Sequence, residues 1–143
     1  MSVSQILKGK GHRIVSVAPD DAVDEVAKTL NHERIGAVLV RDETGTLVGV
    51  LSERDIVSGV AEQGTACLGL RARDLMTTEV VTCKPGDSGP QVMAQMTERR
   101  IRHLPVVEDN HLAGVISIGD VVKHRLAEVE TEAEQLREYI TTS

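Results

Sequence analysis

Gly114-Val115-Ile116-Ser117-Ile118-Gly119-Asp120 restates, late in the chain, the earlier Gly49-Val50-Leu51-Ser52-Glu53-Arg54-Asp55. Each is an aliphatic run ending in Ser-x-x-Asp, so each reads as a strand that delivers a hydroxyl and a carboxylate to the entrance of a helix. Two such pairs in equivalent places suit a small polyhydroxylated ligand held between two halves of one core. The match extends backwards without a gap. Ile14-Val15-Ser16-Val17-Ala18-Pro19 aligns with Val80-Val81-Thr82-Cys83-Lys84-Pro85, and Ile35 with Ile101, 66 positions apart. Beyond Thr44-Gly45 the spacing falls to 65, and the strand alternation then resumes, as a hairpin turn tolerates. Self-similarity at a fixed period marks a duplicated unit. Two copies are too few for a solenoid, so they should bury their apolar faces against each other.

Each copy reads β-α-β-β-α. In the first, Ile14 to Val17 is a short strand, and Pro19-Asp20-Asp21 opens a helix with Asp as its N-cap. Val23, Val26, Ala27 and Leu30 recur at helical spacing. Gly36 leads into Ala37-Val38-Leu39-Val40, apolar throughout and expected to be buried on both faces. Asp42 to Gly45 turns the chain, Leu47 to Ser52 returns antiparallel, and a helix runs from near Glu53 to Gln63-Gly64. In the second copy Val80 to Cys83 is the strand. Asp87-Ser88 with Pro90 starts a helix whose inner face is Val92, Met93 and Met96, the methionines serving as core filling. His103 to Val107 and Leu112 to Ser117 form the hairpin around Asp109-Asn110. The last helix runs on from Ile118 to about Ile140. Leu126, Val129, Ala133, Leu136 and Ile140 form an apolar seam, with an acidic face at Glu128, Glu130, Glu132, Glu134 and Glu138. That seam must pack on something, its own module or another chain. A coil this short is marginal alone, so it should support a dimer made mainly by the globular part.

Composition narrows the function classes. The 143 residues are enough for one core; 41% are hydrophobic, with one tyrosine and no phenylalanine or tryptophan. Single-stranded nucleic acid is usually held on aromatic platforms, and the formal charge of −6 opposes a phosphate backbone, so no nucleic-acid partner is expected. No apolar run reaches the roughly 18 residues of a membrane span. The N-terminus lacks a secretory pattern, so no membrane partner and a cytoplasmic location are expected. Cys67 and Cys83 suggest neither a disulfide framework nor a redox motif, and Cys83 falls in an expected core strand.

The arrangement resembles the CBS (cystathionine beta-synthase) domain family, specifically a tandem pair of the small stand-alone bacterial type. The likeness is carried by the two Gly-h-h-Ser-x-x-Asp copies (h aliphatic), the aliphatic strands before them, and the opener Asp74-Leu75-Met76-Thr77, and it runs from about Ile6 to His124. Ser52-Glu53-Arg54-Asp55, Arg100-Ile101-Arg102-His103-Leu104-Pro105-Val106 and a helical tail ending near Tyr139-Ile140 add to it. The fold implied is α+β: two β-α-β-β-α repeats, residues 7–65 and 73–131, related by a pseudo-twofold axis, plus an extended C-terminal helix over residues 121–141. The resemblance also implies two clefts that bind adenosine-containing ligands, with an adenine nucleotide (AMP, ATP or NAD(H)) as regulatory ligand and no metal. A carboxylate at the helix start can accept both ribose hydroxyls, and the serine hydroxyl with the helix N-terminus favours phosphate.

The two clefts are expected to differ. Arg102 and His103 stand where related modules place phosphate-binding basic residues, while the first copy has Gly36 and Ala37 there. Asp120, Ser117, Arg102 and His103 are therefore the stronger nucleotide site, its other wall drawn by analogy from Lys10, Gly11, Ile14 and Val15. The weaker cleft would use Asp55, Ser52 and Arg54 with Met76, Thr77 and Val81. The plainer reading is that Ser and Asp after a strand are helix caps and nothing more. Lys8-Gly9-Lys10-Gly11-His12 lacks the context of a phosphate-binding loop. Asp120 and His124 lack a third metal ligand, and no nucleophile, base and orienting group assemble into an enzyme site. The expected role is a non-catalytic sensing module acting on a target enzyme that the sequence does not name. The rival is an interaction or oligomerisation module with vestigial clefts. A homodimer is expected in either case.

Overall fold

The computed structural model describes residues 1–142. Along the chain it places α1 (Val3–Lys10), β1 (Ser16–Val17), α2 (Val23–Glu33), β2 (Ala37–Arg41), β3 (Leu47–Ser52) and α3 (Glu53–Gln63). A 3₁₀ turn (Gly64–Gly69) follows, then α4 (Ala72–Leu75), α5 (Gly89–Arg99), β4 (His103–Glu108), β5 (His111–Ser117) and α6 (Ile118–Thr142). This is a mixed α+β fold with two small sheets and a long C-terminal helix. Among the described residues no helix is long and apolar enough to cross a membrane.

The chain forms two compact units. One comprises Ile14–Val81, the other Met1–Arg13 with Thr82–Ser143. Each repeat is thus completed by the helix that leads into the other repeat. In the first unit Ala72 N donates to Asp21 O (2.8 Å) and Arg73 N to Pro19 O (3.0 Å). In the second, Val3 N donates to Asp87 O (2.9 Å) and Ser4 N to Pro85 O (2.9 Å). The parallel is closest at two glycines. A Cβ on Gly49 would lie 2.6 Å from Met76 Sδ, and one on Gly114 would lie 2.8 Å from Leu7 Cδ2. A bare backbone lets the incoming helix seat a side chain against the hairpin.

The duplication holds at the level of register. Val17 pairs with Val40 in parallel, as Cys83 does with Val106; Ala37 pairs with Ser52 as His103 does with Ser117. Both hairpins shift register at the same place, after Val40 and after Val106. α2 and α5 both end on an arginine in the left-handed region, Arg34 (φ 55) and Arg100 (φ 54). In the first unit Val26, Leu30, Val38, Val40, Leu51 and Ala72 form the core. The second buries Leu7, Val92, Met96, Leu104, Val106, Ile116 and Val121.

Some expectations need correction. The strand expected over Val80 to Cys83 is a single bridge at Cys83, and the one over Ile14 to Val17 shortens to two residues. An outermost strand bonds on one side only, so short pairing there is cheap. Neither Asp20 nor Asp21 caps α2: Ala22 is the N-cap, without a side-chain bond, and Asp21 instead accepts from Ala18 N (2.9 Å). That turn orients the chain before the helix begins. In the second copy Ser88 does cap α5, with Pro90 in its first turn, and Asp109 and Asn110 (φ 50 and 64) make the expected hairpin turn. Two further helices carry no clear signal in the chain: the short α4, and α1, which takes in the Lys8 to Lys10 stretch.

Candidate functional site

β5 ends at Ser117 and α6 begins at the next residue, so Ser117 stands at the N-cap and Asp120 at the third helical position. Ser117 N donates to Asp120 Oδ2 (2.8 Å) and Asp120 N donates to Ser117 Oγ (3.1 Å). This reciprocal pair satisfies two backbone donors that a helix start leaves open. β3 and α3 repeat it: Ser52 N donates to Asp55 Oδ2 (2.9 Å), Asp55 N to Ser52 Oγ (3.2 Å), and the Ser52 hydroxyl to Asp55 Oδ2 (3.0 Å). The capping reading of Ser-x-x-Asp therefore holds in both copies. Capping also fixes each carboxylate at a helix entrance, where the macrodipole favours negative charge.

At Asp120 a second group is added. α1 ends beside the corner, and Lys10 Nζ donates to Asp120 Oδ2 (2.6 Å) and to Val115 O (2.8 Å). The pair is partly open to solvent, at 34% for Lys10 and 24% for Asp120. Partial burial pushes the Asp120 carboxyl upward, but the Lys10 ammonium and the Ser117 bonds outweigh it, leaving it below the usual carboxylate range. Gly11 (φ 95) closes α1, a backbone state that suits glycine, and the ring of His12 is bonded to Ala113 O through Nδ1 (2.9 Å). Arg102, exposed, accepts at its carbonyl from Ile118 N (2.8 Å), and the half-buried His103 pairs in register with Ser117.

Lys10, Gly11, Arg102, His103, Ser117 and Asp120 thus lie in one unit, with Lys10, Ser117 and Asp120 in direct contact. Ile14 and Val15 belong to the other unit. All the residues expected at the second cleft lie in that unit too. Thr77 exchanges backbone bonds with Val50 (2.9 and 3.0 Å), Met76 covers Gly49, Arg54 is exposed on the first turn of α3, and Val81 is half-buried at the unit's end. The Lys10–Asp120 bond is the feature sequence reasoning missed as a pair, because 110 positions separate the partners. Among the described residues no three His, Cys, Asp or Glu side chains gather to hold a metal. Both cysteines are buried, and burial pushes the Cys83 thiol up to about 12, with the nearby Asp87 charge adding to it.

The chain belongs to the CBS domain family, which matches it twice, over residues 3–62 and 72–127. The crystal structure of the CBS-domain protein ATU1752 from Agrobacterium tumefaciens superposes with a TM-score of 0.86 at 46% identity, covering 87% of this chain and 92% of that one. The mitochondrial CBS domain-containing protein CBSX3 of Arabidopsis thaliana is 32% identical over 97% of this chain and 71% of its own length. The CBS domain pair of protein MJ0100, solved with 5′-methylthioadenosine and S-adenosyl-L-methionine, shares the fold with a TM-score of 0.78 at 24% identity, over 90% of this chain and 98% of that one.

Proposed function

We propose, from this family membership, that the chain is a non-catalytic regulatory module that binds an adenine nucleotide. The observation that carries the reading is the Asp120 corner, where an ionised carboxylate, a serine hydroxyl and a lysine ammonium meet at a helix entrance. A carboxylate of that kind accepts ribose hydroxyls through charge-assisted hydrogen bonds, and the ammonium and helix N-terminus suit phosphate. Partial exposure of both members lets an incoming ligand share or open the Lys10–Asp120 pair. Arg102 precedes β4 and His103 opens it, paired in register with Ser117, so the proposed site gains a guanidinium and an imidazole. The adenosine compounds held by the MJ0100 pair support an adenosine-containing ligand. AMP, ATP and NAD(H) are the first candidates. The Asp55 corner, with Ser52, Arg54, Met76, Thr77 and Val81, is the proposed weaker site.

To act as a switch the ligand must favour one of two conformations. Binding to the folded chain alone adds about 2.7 kcal/mol at a hundred times Kd, so a thermal-shift panel of adenylates tests the first step. A rise in melting temperature with one adenylate, lost in Asp120→Ala, is the expected result. No shift with any adenylate, or an undiminished shift in that variant, counts against the reading.

A further inference from the structure

We propose that Lys10 makes the Asp120 corner selective for adenosine compounds that bring a phosphate, its ammonium serving in the ligand-free chain as a plug that an anion displaces at least cost. The proposal rests on the binding of an adenine nucleotide at that corner and names the class of ligand admitted there. Each carboxylate oxygen offers two lone pairs. At Asp120 both positions on Oδ2 are filled, by Ser117 N (2.8 Å) and by Lys10 Nζ (2.6 Å). Lys10 Nζ also donates to Val115 O (2.8 Å), so one ammonium occupies the carboxylate and a neighbouring strand carbonyl together. A ribose whose two hydroxyls grip both oxygens of the carboxylate must take the place of Lys10 on Oδ2.

The first repeat shows that the fold does not require this plug. At Asp55 the second position on Oδ2 is filled by the Ser52 hydroxyl (3.0 Å), a neutral group that rotates to a new partner. Val50, the counterpart of Val115, has its carbonyl bonded to Thr77 N (2.9 Å), a backbone contact built into the fold. A hydroxyl and a backbone amide there do what a single movable cation does at Asp120. Lys10 is the last residue of α1 and its side chain is 34% exposed, so it can swing into solvent without opening the core. Once released, the ammonium needs an acceptor. A neutral nucleoside offers none that is charged, so the attraction of the ion pair is lost. A phosphate receives the ammonium as the ribose takes the carboxylate, and one charge-assisted bond replaces another.

Titration calorimetry of the full chain with AMP and with adenosine, which differ only in the phosphate, tests the selectivity. The native chain should bind AMP more tightly. Lys10→Met should weaken AMP about tenfold or more, the scale of a lost hydrogen bond to a charged group. It should strengthen adenosine by up to about fivefold, the scale of a partly exposed ion pair. Methionine keeps an apolar stem, so a lysine that acts by packing alone would leave the ratio unmoved, whereas Lys10→Arg keeps the charge and should keep the preference. Circular dichroism identifies variants that still fold, and Lys10→Gln serves in place of Lys10→Met should that variant not fold. A preference for adenosine in the native chain, or an AMP-to-adenosine ratio unchanged in the uncharged variant, would overturn the proposal and leave nucleotide binding in place. Binding of neither compound would also overturn it; if the wider adenylate panel gives no thermal shift either, the nucleotide reading falls with it.

Discussion

At Ser117 and Asp120 one carboxylate oxygen serves both the cap of α6 and the Lys10 ammonium, whereas at Ser52 and Asp55 the same oxygen takes its bonds from Ser52 alone. The shared part of the two corners is what any strand-to-helix junction of this kind requires. The added lysine arrives from a helix at the far end of the chain, and it separates a helix cap from a candidate anion site. If that addition is functional, the corners should respond differently to ligand and alike to loss of the cap.

The largest effect is expected on ligand. Asp120→Ala removes a charged acceptor, and hydrogen bonds to charged groups contribute about 1.5–3 kcal/mol. Titration calorimetry with the adenylate that gives the largest thermal shift should show affinity lowered about tenfold to a hundredfold. Asp55→Ala should cost less. Equal losses at both corners would erase the distinction drawn from Lys10.

The two hairpin glycines come next. Leu7, seated on Gly114, is 1% exposed and has nowhere to go, while Met76, seated on Gly49, is flexible and only half-buried. Overpacking a filled site costs about 1–3 kcal/mol. A Cβ on Gly49 would also lie 3.1 Å from the backbone oxygen of Thr77, which cannot swing aside as Met76 can. Urea unfolding should therefore place both Gly114→Ala and Gly49→Ala within that range, and a variant as stable as the native chain would mean that its hairpin yields. For the caps, Ser117→Ala and Ser52→Ala should each cost about 1 kcal/mol without ligand, and a gap much wider than that between them would show that one corner does more than cap.

Most of this organisation was legible in the chain because it is local or repeated. Ala37 to Val40 is set by an unbroken apolar run, Leu47 to Ser52 by the antiparallel return after the turn at Asp42 to Gly45, and Asp109-Asn110 by turn chemistry. Offsets of 66 and 65 then reproduce the register of the second copy from the first. Lost were features decided by tertiary partners. The bridge at Cys83 is short because a peripheral strand needs few bonds, and α4 exists because Ala72 and Arg73 bond to the turn at Pro19 and Asp21. The Lys10–Asp120 pair depends on α1 crossing to the unit of the second repeat. Family analogy alone brings both residues to one cleft; nothing in their local sequence does.

That crossing gives the subtlest test. Asp120 is held below the usual carboxylate range when folded, so its contribution is complete above the unfolded-state value near about 4 and is lost as pH falls through the lower folded value. Lys10→Met removes the ammonium that does most of the lowering. Near neutral pH the variant should be less stable, by under about 1 kcal/mol because the pair is partly exposed. As the pH falls below the carboxylate range in both proteins, Asp120 becomes neutral and the difference should close. Denaturant unfolding of native chain and variant at neutral and strongly acid pH measures both limits. A difference that persists unchanged in acid would mean that Lys10 acts through its aliphatic stem, packed against α6, rather than through its charge. The contrast between the two corners would then be one of packing, and the case for Lys10 as a phosphate-binding cation would fall with it.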